Sequence, residues 1–163
     1  MTMPKNREQA LMALTVALGL LQRAYRAKAD KVVAPLGLST AMAWPLVLIG
    51  RHPKGIRPGG LSEALGIEGP SLVRSLNQLV DAELVLRQDD PVDKRAKILC
   101  LTSEGNAIRT RIEDMLNELR TELFDGLSDE DVQACLRTFC LLEHRLGING
   151  SSSINAETPT DQM

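Results

Sequence analysis

The sequence has few aromatic residues, cysteines and histidines. Its 163 residues include one Trp, one Tyr, two Phe, three Cys and two His. With so few rings, the core must consist mainly of Leu, Val, Ile and Ala, which is typical of a helical protein. The odd cysteine count argues against a disulfide framework, and without a Cys-x-x-Cys pair a metal site has little support. We expect Cys100, Cys135 and Cys140 to be small buried side chains.

Long apolar runs are also lacking. No run reaches the roughly 18 residues of a membrane span, and the N-terminal segment has no secretory-signal pattern. The content of 44% hydrophobic and 25% charged residues is that of an ordinary folded domain. No nucleophile-base-acid set or Gly-rich phosphate loop is evident, so we expect neither an enzyme nor a cofactor. The expected location is the cytoplasm.

A net positive charge is absent as well. The formal charge is −2, whereas binding to nucleic acid needs cations that face phosphates. Residues 51–97 contain eight Lys or Arg against seven acidic residues, and the rest of the chain contains 11 against 14. Any contact with a polyanion would therefore depend on a few well-placed cations rather than on a broad basic face.

The segment 61–105 has the order of a winged helix-turn-helix: a short helix, a turn, a longer helix and two strands. Pro70 suits the first turn of a helix, which we predict to run to about Ala82. The predicted buried side carries Leu72, Val73, Leu76, Leu79 and Val80. The predicted polar side carries Ser71, Arg74, Ser75 and Gln78, whose side chains can bind base edges and phosphates in a major groove. A merely solvated helix face is the alternative.

Two strand-like runs, 84–87 and 96–101, follow this helix and indicate a β-hairpin with a long polar tip. Lys94 and Arg95 in the tip are suited to a narrow, negative minor groove. We expect the neighbouring Asp93 to hold the Arg95 guanidinium in position. Alternatively, these charges only keep a surface loop in solution.

These residues resemble the signature of MarR-type transcriptional regulators. The resemblance rests on Arg74, on Leu84-Val85, on Asp93-Lys94-Arg95-Ala96, and on Leu101-Thr102 with Gly105. The stretch 65–74 is similar to the SlyA branch of that family. The resemblance covers residues 10–146 loosely and 57–105 specifically. It implies a homodimeric winged-helix protein that binds double-stranded DNA and has a pocket for a small-molecule effector.

One position departs from the family pattern. The family usually has Gly directly after the recognition helix, and this chain has Glu83. A side chain in the left-handed conformation of that cap costs on the order of 1 kcal/mol. We therefore expect a different helix end, and the family pattern does not fix the angle of the wing in this chain.

Helical patterns flank the winged helix on both sides. Apolar spacing predicts helices over 7–32, 39–50, 103–124 and 128–146, with Pro45 expected to kink or delay the second. The long stripes exceed what one small globule can cover, so we expect a dimer; a monomer with internal packing is the alternative. The predicted organisation is a dimerisation helix (1–36), a winged helix (37–102), dimerisation helices (103–146) and a disordered tail (147–163).

The predicted fold is mainly α, with about six helices and a two- or three-stranded wing sheet. The hypothesis is a nucleoid-associated transcriptional regulator that binds a pseudo-palindromic operator and is released by a small aromatic or amphipathic ligand. Candidate pocket residues, for which core packing is an equal explanation, are Arg23, Tyr25, Arg26, Trp44 and His52. The rival hypothesis is a winged helix that serves protein–protein interaction or dimerisation without DNA.

Overall fold

The computed structural model describes residues 6–67 and 70–147. These residues form six α-helices and one two-stranded sheet, which confirms the predicted mainly helical winged-helix fold. The helices are α1 (Arg7–Val33), α2 (Thr40–Gly50), α3 (Pro58–Leu65), α4 (Pro70–Asp81), α5 (Ser103–Leu123) and α6 (Asp129–Arg145). The strands are β1 (Val85–Asp89) and β2 (Lys97–Leu101). The predicted tail lies outside the described residues, apart from Gly147.

Helix α2 lies at the centre of the globule. It packs against α1, α3, α4, α5 and β2, and its Leu46 and Ile49 are fully buried. Pro45 is buried inside this helix, which continues from Thr40 to Gly50 without a break. Of the two effects expected of Pro45, the late start is wrong: Ser39 is the N-cap residue and α2 begins at Thr40, one residue after the predicted start. A kink stays a prediction.

The start of α2 is tied to α1 by a carboxylate. Asp30 Oδ1 accepts a hydrogen bond of 2.7 Å from the backbone N–H of Thr40, and the Arg26 Nε donates to Thr40 Oγ1 at 3.3 Å. The bonds from Thr40, together with the nearby charge of Arg26, lower the pKa of Asp30. The carboxylate thus caps α2 from a neighbouring helix, since the side chain of Ser39 makes no capping bond.

The wing sheet consists of β1 and β2 in antiparallel register, with Val85 opposite Leu101 and Asp89 opposite Lys97. A third strand is reduced to one antiparallel bridge between Ile56 and Leu99. The expected two or three strands are thus two strands and a bridge. Val85 and Leu99 enter the core, which joins the wing to the helices.

The C-terminal cap of α4 is formed by Glu83, at a position that glycine usually occupies. Glu83 has φ 57°. Its N–H donates to the carbonyl of Val80, and the N–H of Leu84 donates to the carbonyl of Leu79. This pair of bonds is a Schellman motif. The expectation of a different helix end is therefore wrong, because Glu83 adopts the left-handed conformation itself.

Helix α6 and the first half of α1 stand apart from the core. α6 contains no buried residue, and α1 buries only Ala29 and Val33 near its C-terminal end. Cys135 and Cys140 on α6 are consequently exposed and Cys100 is half-buried, so the prediction of buried cysteines is wrong for the single chain. The large exposed apolar side chains of these two helices are Leu11, Met12, Leu14, Val16, Leu20, Leu21, Phe139, Leu141 and, at the cap of α6, Leu146.

By length and hydropathy, none of the helices in the described ranges could cross a membrane alone; only residues 7–36 and 40–50 taken together, with a bend of 80° between them, reach that composition.

Candidate nucleic-acid interface

Helix α4 has one buried and one exposed face. Leu72, Leu76 and Leu79 are buried against the core, which confirms that this side docks. The opposite side is open to solvent. Its members form one patch, to be called the α4 face, and they are Pro70, Val73, Arg74, Asn77 and Gln78. Ser71 is also exposed, at the edge of this patch.

Two residues of α4 lie on the opposite side from the one the sequence predicted. Ser75 is buried, and its Oγ donates to the carbonyl of Ser71 at 3.2 Å. Val73 is 54% exposed. At 100° per residue, Ser75 lies about 70° from the mean direction of the three buried leucines and Val73 about 90° away. The angle around the helix therefore determines burial at these two positions more than side-chain polarity does. The small side chain of Ser75 lies below the α4 face.

Asn77 and Arg87 connect the α4 face to the wing. Arg87 is on β1, and its Nη2 donates to Asn77 Oδ1 at 2.6 Å. Both side chains are exposed. Because the partner is a neutral amide, the Arg87 guanidinium keeps its full charge on this surface. Neither residue was a candidate from the sequence; the one available signal was the position of Asn77, three residues after Arg74.

The wing tip, residues 90–96, presents Lys94 and Arg95 to solvent. The Asp90 N–H donates to the carbonyl of Ala96 at 3.0 Å and closes the loop. Asp93 Oδ1 accepts from the backbone N–H of Arg95 at 3.1 Å. Within the described part of the chain, the Arg95 guanidinium makes no ion pair. Asp93 thus orients the backbone of the tip, and the predicted contact between its carboxylate and the Arg95 side chain is corrected.

A second carboxylate organises the tip from inside. Asp90 Oδ1 accepts from the N–H groups of Val92 at 2.8 Å and Asp93 at 3.2 Å. Its Oδ2 accepts from Arg57 Nε at 2.7 Å, and Arg57 Nη2 lies 2.7 Å from the same oxygen. The backbone bond from Val92 and the Arg57 bond lower the pKa of Asp90, so this buried side chain is a carboxylate at neutral pH. Neither Arg57 nor Asp90 was a candidate site residue from the sequence.

One respect that the structure records separates His52 from the other candidate ligand residues: its cavity is lined by different side chains. His52 lines a cavity of about 240 Å³ with Ile49, Gly50, Pro53, Cys100, Leu101 and Asn106. Tyr25 and Trp44 pack against the core, and Arg26 bonds to Thr40. Arg23 is exposed on α1. Among the residues that the structure describes, the walls of the His52 cavity include none of these four.

Metal-binding side chains are scattered. Over residues 6–67 and 70–147, no group of three or more His, Cys, Asp or Glu side chains could hold an ion.

Known structures match this arrangement over most of their length. The transcriptional regulator PA3341 is 28% identical to this chain, with a TM-score of 0.77 over 82% of this chain and 98% of its own. A model of the MarR family matches residues 36–96, which contain α2 to α4 and most of the wing. The match spans 61 of the 163 residues, so over its winged helix the chain is similar to MarR-family proteins. Further MarR-family regulators of known structure share the fold.

The transcriptional repressor CouR, solved with a 23-mer DNA duplex, is 27% identical, with a TM-score of 0.72 over 86% of this chain and 99% of its own. A CouR from Rhodococcus jostii RHA1, solved with p-coumaroyl-CoA, is 20% identical, with a TM-score of 0.69 over 92% of this chain and 95% of its own. SlyA is 18% identical, with a TM-score of 0.74 over 87% and 96% of the two chains, and shows the fold alone. These matches support the predicted resemblance to MarR-family regulators, and the SlyA branch stays a prediction.

Proposed function

We propose that this chain is a homodimeric transcriptional regulator of the MarR type that binds a pseudo-palindromic DNA duplex in the cytoplasm, at the nucleoid. The observation that carries the proposal is the bond between Arg87 and Asn77, because it joins the wing to the exposed face of α4. One continuous surface then offers polar side chains for a major groove and cations for the adjoining backbone. The DNA-bound CouR structure is in keeping with this use of the fold.

On this surface, Arg74 and Gln78 have the hydrogen-bonding groups that recognise guanine and adenine in a major groove. The exposed Val73 supplies an apolar surface for thymine methyl groups beside them. Ser71 lies at the edge of the patch and suits a phosphate or a base. The buried Ser75 drops out of the contact set that the sequence predicted. Lys94 and Arg95 remain the proposed minor-groove contacts of the wing.

Dimerisation is proposed from the uncovered helices. Leu21 on α1 is 67% exposed and Phe139 on α6 is 37% exposed. Few residues of these two helices are buried in the single chain. A large amount of exposed apolar surface of this kind marks an interaction site. A two-fold dimer would present two α4 helices to half-sites about one helical turn apart.

The dimer has a direct test in sedimentation equilibrium. Leu21→Glu and Phe139→Glu should each shift the protein from dimer to monomer, because a charge cannot be buried unpaired in an apolar interface. Leu86→Glu is the matched control, since Leu86 is a 45% exposed leucine on the wing, and it should leave the dimer intact. A wild-type monomer would contradict the proposal.

The function has its own test in selection from a pool of randomised duplexes. The wild-type protein should enrich two inverted half-sites with centres about one helical turn apart. Enrichment of a single half-site would contradict the homodimeric arrangement. No enrichment would favour the rival role of the winged helix in protein–protein interaction, for which the net charge of −2 is the supporting observation.

The proposal includes control by a small molecule, of which it names only the chemical class. An amphipathic aromatic ligand would lower DNA affinity by favouring a dimer in which the two α4 helices no longer match the half-sites. The CouR complex with p-coumaroyl-CoA supports a ligand of this class. A screen of aromatic carboxylic acids for release of the selected duplex tests it, and the absence of release by every compound would count against it.

A further inference from the structure

We propose that Arg57 and Asp90 form a latch that positions the wing tip, so that Arg57 is a positioning residue for Lys94 and Arg95. The inference rests on the proposed binding of DNA. The two residues are 33 positions apart in the sequence and meet through the fold alone. Neither was a candidate for any function from the sequence.

Backbone hydrogen bonds fix the position of the Arg57 main chain. The residue before it, Ile56, forms the bridge to β2: its N–H donates to the carbonyl of Leu99 at 3.1 Å, and the N–H of Leu99 donates back at 2.8 Å. Arg57 is the N-cap residue of α3, in extended conformation. Its main chain is therefore held between the wing sheet and the helix that precedes α4.

The side chain of Arg57 then reaches the loop that carries the wing cations. Both Nε and Nη2 lie 2.7 Å from Asp90 Oδ2, and Nη2 lies 3.8 Å from Asp93 Oδ2. Asp90 follows β1 directly and uses its other oxygen to hold the N–H groups of Val92 and Asp93. One carboxylate thus orders the tip internally and ties it to α3. Charge-assisted hydrogen bonds of this kind are stronger than neutral ones.

The arrangement also resolves a difficulty of charge. Asp90 and Asp93 lie in the same loop as Lys94 and Arg95, and a carboxylate near DNA repels the phosphates. Arg57 offsets that negative charge at the root of the loop while Lys94 and Arg95 remain outside. The carboxylates are therefore retained for geometry, which gives the latch a distinctive signature: removal of a negative charge should weaken DNA binding.

Asp90→Asn tests this signature, because asparagine keeps an oxygen for the two N–H groups but loses the ion pair. With the duplex selected by the wild-type protein, affinity should fall by roughly three- to tenfold, the range for a half-exposed charge-assisted pair. Asp89→Asn is the matched control: Asp89 is the preceding, exposed residue that pairs with Lys97. Asp89→Asn should leave the affinity for DNA unchanged or raise it. Electrostatic repulsion alone predicts that same result for the loss of either carboxylate, Asp89 or Asp90.

Arg57→Lys separates positioning from direct contact with phosphate. Lysine keeps the charge but lacks the planar group that presents two N–H donors to Asp90. A latch predicts that Arg57→Lys weakens binding as Asp90→Asn does, whereas a direct phosphate contact predicts retained affinity. In an Arg95→Ala, Lys94→Ala background, Asp90→Asn should have no further effect, because the latch acts through the wing cations. A general folding defect would lower affinity in that background too.

Each outcome decides between the latch and the function on which it rests. If the wild-type protein binds the selected duplex and Asp90→Asn binds it equally well or more tightly, the latch is overturned and the proposed function stands. If the wild-type protein selects no duplex, the proposed function is overturned, and the latch that rests on it is overturned as well. Thermal unfolding of each variant, followed by circular dichroism, shows whether the chain is folded at the temperature of the titration.

Discussion

The carbonyl oxygen of Leu84 lies directly against Gly105, so that a Cβ on this glycine would be 2.0 Å from the oxygen. The same oxygen accepts a hydrogen bond from the backbone N–H of Thr102 at 3.1 Å, and the Thr102 hydroxyl caps α5 through the N–H of Gly105 at 2.8 Å. This contact joins the residue that follows the C-terminal cap of α4 to the start of α5. It explains physically why Leu-Thr-x-x-Gly occurs as a unit.

Gly105→Ala should therefore destabilise the fold. The added methyl group meets backbone, which cannot move aside as a flexible side chain would, and the expected loss is about 1–3 kcal/mol in the free energy of unfolding. Gly59→Ala is the control, because a Cβ at Gly59 in α3 meets nothing within 4 Å. Urea denaturation measures both variants. Equal stability of Gly105→Ala and the wild type would contradict the close contact.

Glu83→Gly should stabilise the protein. Glu83 has φ 57°, a conformation that glycine adopts without steric cost. Relief of this strain outweighs the greater freedom of glycine in the unfolded chain, with a gain of about 1 kcal/mol at most. Glu83→Ala removes the same carboxylate but keeps the Cβ, so its unfolding free energy should match that of the wild type. A larger gain for alanine than for glycine would show that charge, and not backbone strain, is the cost at this position.

Arg74→Ala should relax base discrimination. If Arg74 contacts a guanine, the variant should lose roughly 1–3 kcal/mol of preference at one position of each half-site and retain its affinity for unrelated DNA. The measurement is a competition titration of the selected duplex against single-base variants. A uniform loss on all duplexes would instead assign Arg74 to a phosphate.

Asp30 should make stability depend on acid pH. Its pKa in the folded protein is lowered by hydrogen bonds from Thr40, so its contribution is present above the pKa of the unfolded chain, about 3.9. That contribution is lost as the pH falls through the lower, folded-state pKa. The stability gap between the wild type and Asp30→Ala should therefore be widest near neutral pH and narrow below about pH 4. Asp114→Ala, at an exposed position of α5, should show no such gap.

Much of this architecture could be predicted from local sequence signals. The stripes of Leu and Ile gave the bounds of α1, α5 and α6 to within a residue or two, and Pro70 marked the first residue of α4. Ser128 caps α6 through the N–H of Asp131, as its Ser-x-x-Asp sequence indicates. Such signals are local because a helix is determined by neighbours three and four residues apart.

The errors have physical causes, and two of the three lie in tertiary contacts that no local pattern contains. Val73 is exposed and Ser75 buried, the reverse of the prediction, because burial on α4 follows the angle of each residue around the helix more closely than its hydrophobicity. Glu83 was expected to change the cap, yet the packing that fixes Leu84 outweighs the cost of a side chain in that conformation. The pair of Arg57 and Asp90 depends on a contact across 33 residues, which only the tertiary fold reveals.

The central claim, that few well-placed cations bind DNA, is tested most directly by the salt dependence of binding. The wild-type protein is titrated with its selected duplex at several salt concentrations between roughly 50 and 200 mM, beside Arg95→Ala and the charge-matched control Arg145→Ala on α6. The account predicts that log K falls linearly with log salt, that Arg95→Ala weakens binding and makes the slope shallower by about one per subunit, and that Arg145→Ala changes neither. A flat salt profile, or equal affinities for Arg95→Ala and the wild type, would contradict it.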